Sequence, residues 1–108
     1  MNINIIPEEI DFDKHLIVDI RTKEEQEQVY LKDSILYPIE FSDVDENKVL
    51  NYFEDLAKGE KQIVLMCASG YRSEILCNFL NRFKKIALNL DGGISTLSEV
   101  FPEKIISK

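Results

Sequence analysis

The sequence predicts an α/β fold: a small parallel sheet of about five strands with helices on both faces. Three observations predict it. Extended and helical candidates alternate along the chain. The strand candidates are continuous apolar runs, as in strands covered on both sides. The helix candidates carry apolar residues at helical spacing. The first strand candidate, "NINII" (2–6), is stopped by Pro7. "HLIVDIR" (15–21) is stronger, with Leu16, Ile17 and Val18 in an unbroken run. Thr22 and Glu25 stand at capping-box spacing, so a short helix starts there. "ILYPIE" (35–40) is a short extended piece restricted by Pro38. The spacing of Val49, Leu50, Phe53, Leu56 and Ala57 predicts a helix over 47–58, capped by Asp45 or Asn47 and stopped by Gly59. "QIVLMC" (62–67) is the next strand, and Ile75, Leu76, Phe79, Leu80 and Phe83 repeat the helical spacing after it. "IALNL" (86–90) is a further strand, Asp91, Gly92 and Gly93 form a turn, and a last helix runs from 94 to 100, before Pro102.

With 108 residues the chain fits one domain, taken as 1–108, and can bury a real core. Hydrophobic residues at 44% and charged residues at 31% are an ordinary globular mix. No apolar run is long enough to span a bilayer. "MNINIIPEEI" has neither a basic start nor a small-residue cleavage site, so it does not read as a leader, which favours the cytoplasm. Two cysteines are not a disulfide framework and read as reduced thiols. A formal net charge of −7 argues against nucleic acid or an anionic membrane as partner. The charge is uneven. Glu40, Asp43, Asp45, Glu46, Glu54, Asp55 and Glu60 face only Lys48 and Lys58, whereas Arg72, Arg82, Lys84 and Lys85 face only Glu74. The basic segment starts at a cysteine loop, where a small anion could bind; two solvated faces of opposite sign are the simpler alternative.

That loop, "CASGYRS", joins the strongest strand to the next helix. Ligands of parallel α/β sheets sit outside the carboxyl ends of the strands, which is where Cys67 falls. Gly70 permits a tight turn. If Arg72 and Ser73 open the helix, its free N–H groups, its dipole and the guanidinium favour a thiolate at Cys67. Arg72 also offers a fork of donors to an oxyanion. The competing reading of Cys67 is a small core hydrophobe. His15, the only histidine, starts a strand and so stands at the sheet end opposite Cys67; a catalytic Cys–His pair is not expected. Cys77 is expected to be a packed helix cysteine off the centre of the apolar stripe rather than a resolving thiol, and no zinc set is visible. Tyr71 either lines the mouth of the loop or is simply exposed.

The loop resembles the active-site loop of rhodanese-family sulfurtransferases, with Cys67, Gly70, Arg72 and Ser73 in matching places. "VDIRTKEE" resembles that family's first signature through Asp19, Ile20, Arg21 and Glu25, and "LDGGISTL" its Asp-Gly-Gly turn. The likeness covers about 15–97. It departs where the family often has Gly-His-Ile and then Gly-Ala: Val29-Tyr30-Leu31 and Asp33-Ser34 stand here. Leu97 replaces an aromatic residue, and Ala68 an often polar or basic one, which weighs against efficiency with thiosulfate. The resemblance implies a rhodanese-like fold and a two-step transfer. Cys67 attacks the outer sulfur of thiosulfate or a persulfide, becomes a persulfide, and passes the sulfur to cyanide, a thiol or a protein partner. It implies that Ala68, Ser69, Gly70, Tyr71, Arg72 and Ser73 cradle the sulfur and that Asp19 and Arg21 form a supporting ion pair. No metal or organic cofactor is required. Two alternatives stand beside it. A cysteine phosphatase or arsenate reductase would need a loop one residue longer than the four residues between Cys67 and Arg72. A non-catalytic binding or sulfur-carrier module would keep the fold and take sulfur only from a partner, with the acidic segment as a possible docking face.

Overall fold

A computed structural model describes residues 2–108. Met1, which opens the stretch inspected for a leader, lies outside them. The strands are β1 (Asn4–Ile5), β2 (His15–Asp19), β3 (Val29–Leu31), β4 (Ile35–Leu36), β5 (Gln62–Met66), β6 (Ala87–Leu90) and β7 (Ile105–Ser107). The helices are α1 (Lys23–Gln28), α2 (Glu46–Leu56), α3 (Tyr71–Leu80) and α4 (Gly93–Val100). Five strands form one parallel sheet in the order β1-β6-β5-β2-β4. Among the described residues no helix is long and apolar enough to cross a membrane.

The two apolar sets of each strand explain the layers. Val18, Ile63, Leu65 and Ala87 face one side and pack with Val49 and Phe53 of α2 and Leu76, Cys77 and Leu80 of α3. Ile5, Ile17, Val64, Met66 and Leu90 face the other and pack with Ile94 and Leu97 of α4. The central strands β2, β5 and β6 are therefore buried on both faces, which is why they read as continuous apolar runs. Local signals hold as well: the Thr22–Glu25 capping box opens α1, and the Asp45 side chain caps α2.

Three features depart from the sequence reading. β3 and β7 form a separate two-stranded antiparallel ribbon, Val29 opposite Ser107 and Leu31 opposite Ile105. Helix α3 ends at Leu80, so Phe83 lies past it and is 91% exposed; Ile75 is exposed too. Cys77 takes the centre of the buried face instead of its margin.

The turn between β6 and α4 is shaped by the loop after β5. Ile94 N–H donates to the Cys67 carbonyl at 2.9 Å and Ser95 N–H to that of Ala68 at 3.2 Å. These are orphan donors of a helix first turn meeting carbonyls that have left the sheet. Gly93 sits at φ +63°, and a Cβ there would collide with the backbone of Cys67 and Ala68. Gly93→Ala should therefore lower the unfolding free energy by about 1–3 kcal/mol in urea titration. A loss within experimental error would mean that the two loops do not meet as closely as described.

Candidate active site

Cys67 follows the last residue of β5, and Gly70 is the N-cap of α3, at φ +100°. A side chain at Gly70 would strain the backbone and press on the Gly92 nitrogen. The resulting tight loop turns the thiol inward, and Cys67 is only 1% exposed. Gly70 N–H donates to its Sγ at 3.1 Å and Ser73 N–H at 3.4 Å. The Ser73 hydroxyl lies 3.3 Å from the same sulfur. Burial pushes the Cys67 thiol up, and hydrogen bonds from the Ser73 side chain and from the Ser73, Gly70 and Ser69 N–H groups outweigh it, leaving the pKa below that of an ordinary thiol. The site thus stabilises negative charge on sulfur mainly through hydrogen bonds.

Arg72 lies otherwise than the loop alone suggested. Its Nη1 and Nη2 donate to the two carboxylate oxygens of Glu25 at 2.7 and 2.9 Å, a bidentate bridge from α3 to α1. Glu25 also closes the capping box with Thr22. The guanidinium bond holds the Glu25 carboxyl down at about 2 against partial burial, with the Thr22 bonds assisting. Arg72 is thus a charge already paired, and it ties the loop to the first helix. The rest of the basic segment does not gather here. Arg82 stands over the rings of Phe79 and Phe83, beyond a helix about 15 Å long.

Asp19 and Arg21 form a buried ion pair at 2.9 Å beside the loop. Arg21 also donates to the Val29 carbonyl at 2.6 Å, fixing the entry to β3. Gln26, a residue the sequence reading passed over, donates to the carbonyls of Asp19 and Arg21. Ser69 and Tyr71 are exposed on the rim, and Ala68 is half-buried beneath α4. His15 pairs with Gln62 at the start of its strand, the end of the sheet away from Cys67, and its Nδ1 accepts from Asp11 N–H. Cys77 is fully buried, and burial and then Glu74 push its thiol up to about 12. Such a thiol is inert at neutral pH.

One member of the site went unread. Asn89, on β6 and 2% exposed, accepts the Ser73 hydroxyl proton and donates from Nδ2 to Asn4 at 3.0 Å. The available signal was a polar residue inside the apolar run "IALNL", since a buried amide must have partners.

A parallel five-stranded sheet with a cysteine loop at the carboxyl end of its middle strand defines a known class. The model of the rhodanese-like domain family matches residues 5–99, and the chain belongs to that family, which includes sulfurtransferases. It is 30% identical over 87 residues to a Porphyra purpurea protein named "Probable molybdopterin-synthase adenylyltransferase". The match covers 81% of this chain, and the chain spans only 21% of that relative's length. Protein hp1203 of Helicobacter pylori 26695 superposes with a TM-score of 0.73 at 20% identity, over 97% of this chain and 89% of its own. A rhodanese-like domain protein from Staphylococcus aureus does so with a TM-score of 0.67 at 24% identity, over 90% and 91%. Both share the fold.

The Glu25–Arg72 bridge carries a pH signature. Glu25 has its carboxyl lowered from 4.5 to about 2, so the stability it lends is complete above pH 4.5 and drains away as pH falls toward 2. Wild type should melt above Glu25→Gln at neutral pH, with the gap closing between pH 4.5 and 2 in calorimetry. A gap that persists unchanged at pH 2 would assign the effect to packing.

Proposed function

We propose that this chain transfers a sulfane sulfur through a Cys67 persulfide. The observation that carries the reading is the buried Cys67 sulfur receiving the N–H groups of Gly70 and Ser73 at the start of α3. The first step is a displacement. The Cys67 thiolate attacks the outer sulfur of R–S–S⁻, a Cys67–S–S⁻ persulfide forms, and R–S⁻ leaves; with thiosulfate the leaving group is sulfite. In the second step a thiophile attacks the outer sulfur and regenerates the Cys67 thiolate. Cyanide gives thiocyanate, and a thiolate gives a new persulfide. The charge on the outer sulfur is held by N–H groups that the first turn of α3 leaves over at Tyr71 and Arg72. Ala68, Ser69 and Tyr71 border the approach.

The pairing of Arg72 with Glu25 and the absence of a basic side chain at Ala68 favour a persulfide donor over doubly charged thiosulfate. A relative named for an enzyme of molybdopterin synthase, itself a protein, supports a protein among the acceptors. Both free thiols suit a reducing compartment such as the cytoplasm.

The test is intact mass after incubation of the reduced protein with thiosulfate and, separately, with an alkyl persulfide. Wild type gains one sulfur atom that cyanide removes, and Cys67→Ala gains none. Absence of any gain with both donors would sink the transfer reading in favour of a binding module.

A further inference from the structure

The hydrogen bonds behind Cys67 contain a conflict over one proton. Ser73 is fully buried, and its hydroxyl has a single hydrogen. That hydrogen goes to Asn89 Oδ1. The hydrogen between Ser73 Oγ and the sulfur, 3.3 Å apart, must then belong to the thiol. From there the chain continues through Asn89 Nδ2 to Asn4 Oδ1. Every side-chain donor in this chain points away from the sulfur, an arrangement that suits the protonated thiol, while the Gly70 and Ser73 N–H groups point toward it in either state.

The same heavy atoms support the opposite polarity. If both asparagine amides turn by half a rotation, Asn4 Nδ2 donates to Asn89 Oδ1 and Asn89 Nδ2 donates to Ser73 Oγ. The Ser73 hydroxyl is then free to donate to the sulfur. Every group stays satisfied, as the buried Asn89 amide requires. Asn4 is exposed on an edge strand, so its amide can turn freely. On ionisation the thiol proton leaves to solvent and the hydroxyl proton swings onto the thiolate.

We propose that Asn89 is a positioning residue that holds the Ser73 proton away from the Cys67 sulfur at rest and, by turning its amide, releases that proton to the sulfur when the thiolate forms. The proposal rests on Cys67 being the sulfur-bearing nucleophile. The charged groups around the loop are the same in both settings. Arg72 of α3 stays bridged to Glu25 of α1, Asp19 and Arg21 stay paired at the end of β2, and Asp91 follows β6. Glu74 and the high-pKa Cys77 lie on α3. Only the hydrogen-bond polarity differs.

The test follows iodoacetamide alkylation of Cys67 against pH on the reduced full chain, resolved by peptide mass so that Cys77 does not interfere. Asn89→Leu, at similar volume, removes one bond to Ser73 in each setting: the hydrogen Asn89 accepts at rest and the hydrogen it donates once the thiolate forms. Its alkylation midpoint should therefore stay near that of wild type. An amide fixed as acceptor would instead give a fall, and one fixed as donor a rise, of about half to one pH unit, the worth of one neutral hydrogen bond; either shift overturns the proposal. The side-chain amide protons of Asn89 in the wild type, followed by nitrogen-edited NMR, should titrate with the Cys67 midpoint, and a flat response through it overturns the proposal. Alkylation needs only the thiol, so this result stands apart from the persulfide-loading assay.

Discussion

The carbonyls of Cys67 and Ala68 leave the sheet with no strand partner, and the first N–H groups of α4 leave their helix with no carbonyl. Each set answers the other at 2.9 and 3.2 Å. That exchange fixes the floor of the cysteine loop, and it demands that Gly93 come against the loop backbone without a side chain. The αL turn at Gly70 sets the opposite wall. With both walls set by backbone, the geometry around the sulfur depends little on any flexible side chain.

The same economy governs the electrostatics. A buried thiol resists ionisation, and nearby cations are one remedy. Here the one cation of the loop is bound first to Glu25 and interacts more weakly with Cys67, and amide and hydroxyl donors carry the larger share of the compensation. Fixed dipoles of this kind need no counterion and little reorganisation when charge develops on the Cys67 sulfur. Arg72 then serves chiefly as a strut between α3 and α1, while the Asp19–Arg21 pair braces the neighbouring strand end.

What could be read in the sequence was what is encoded locally. The apolar runs of β2, β5 and β6, the Thr22–Glu25 box and the cap at Asp45 each lie within a few residues. The β3–β7 ribbon escaped because two three-residue pieces far apart in the chain carry no periodicity worth reading. Phe83 fitted the apolar stripe by number but falls after the helix has ended. Cys67, Gly70 and Ser73 were placed together by their spacing, whereas the role of Arg72 depended on Glu25, 47 residues earlier. Asn89 was hidden by its surroundings: one polar residue in a strand that otherwise reads as core.

The sulfur's hydrogen-bond chain ends on Asn4, and 85 residues separate Asn4 from Asn89. Strand β1 pairs only with β6, at the rim of the sheet, so it closes the longest loop in the parallel fold. Long loops close late, because their entropy is lost before contacts repay it. Fraying of β1 at that rim would therefore reach the thiol through Asn4 and Asn89 without disturbing the backbone of the cysteine loop.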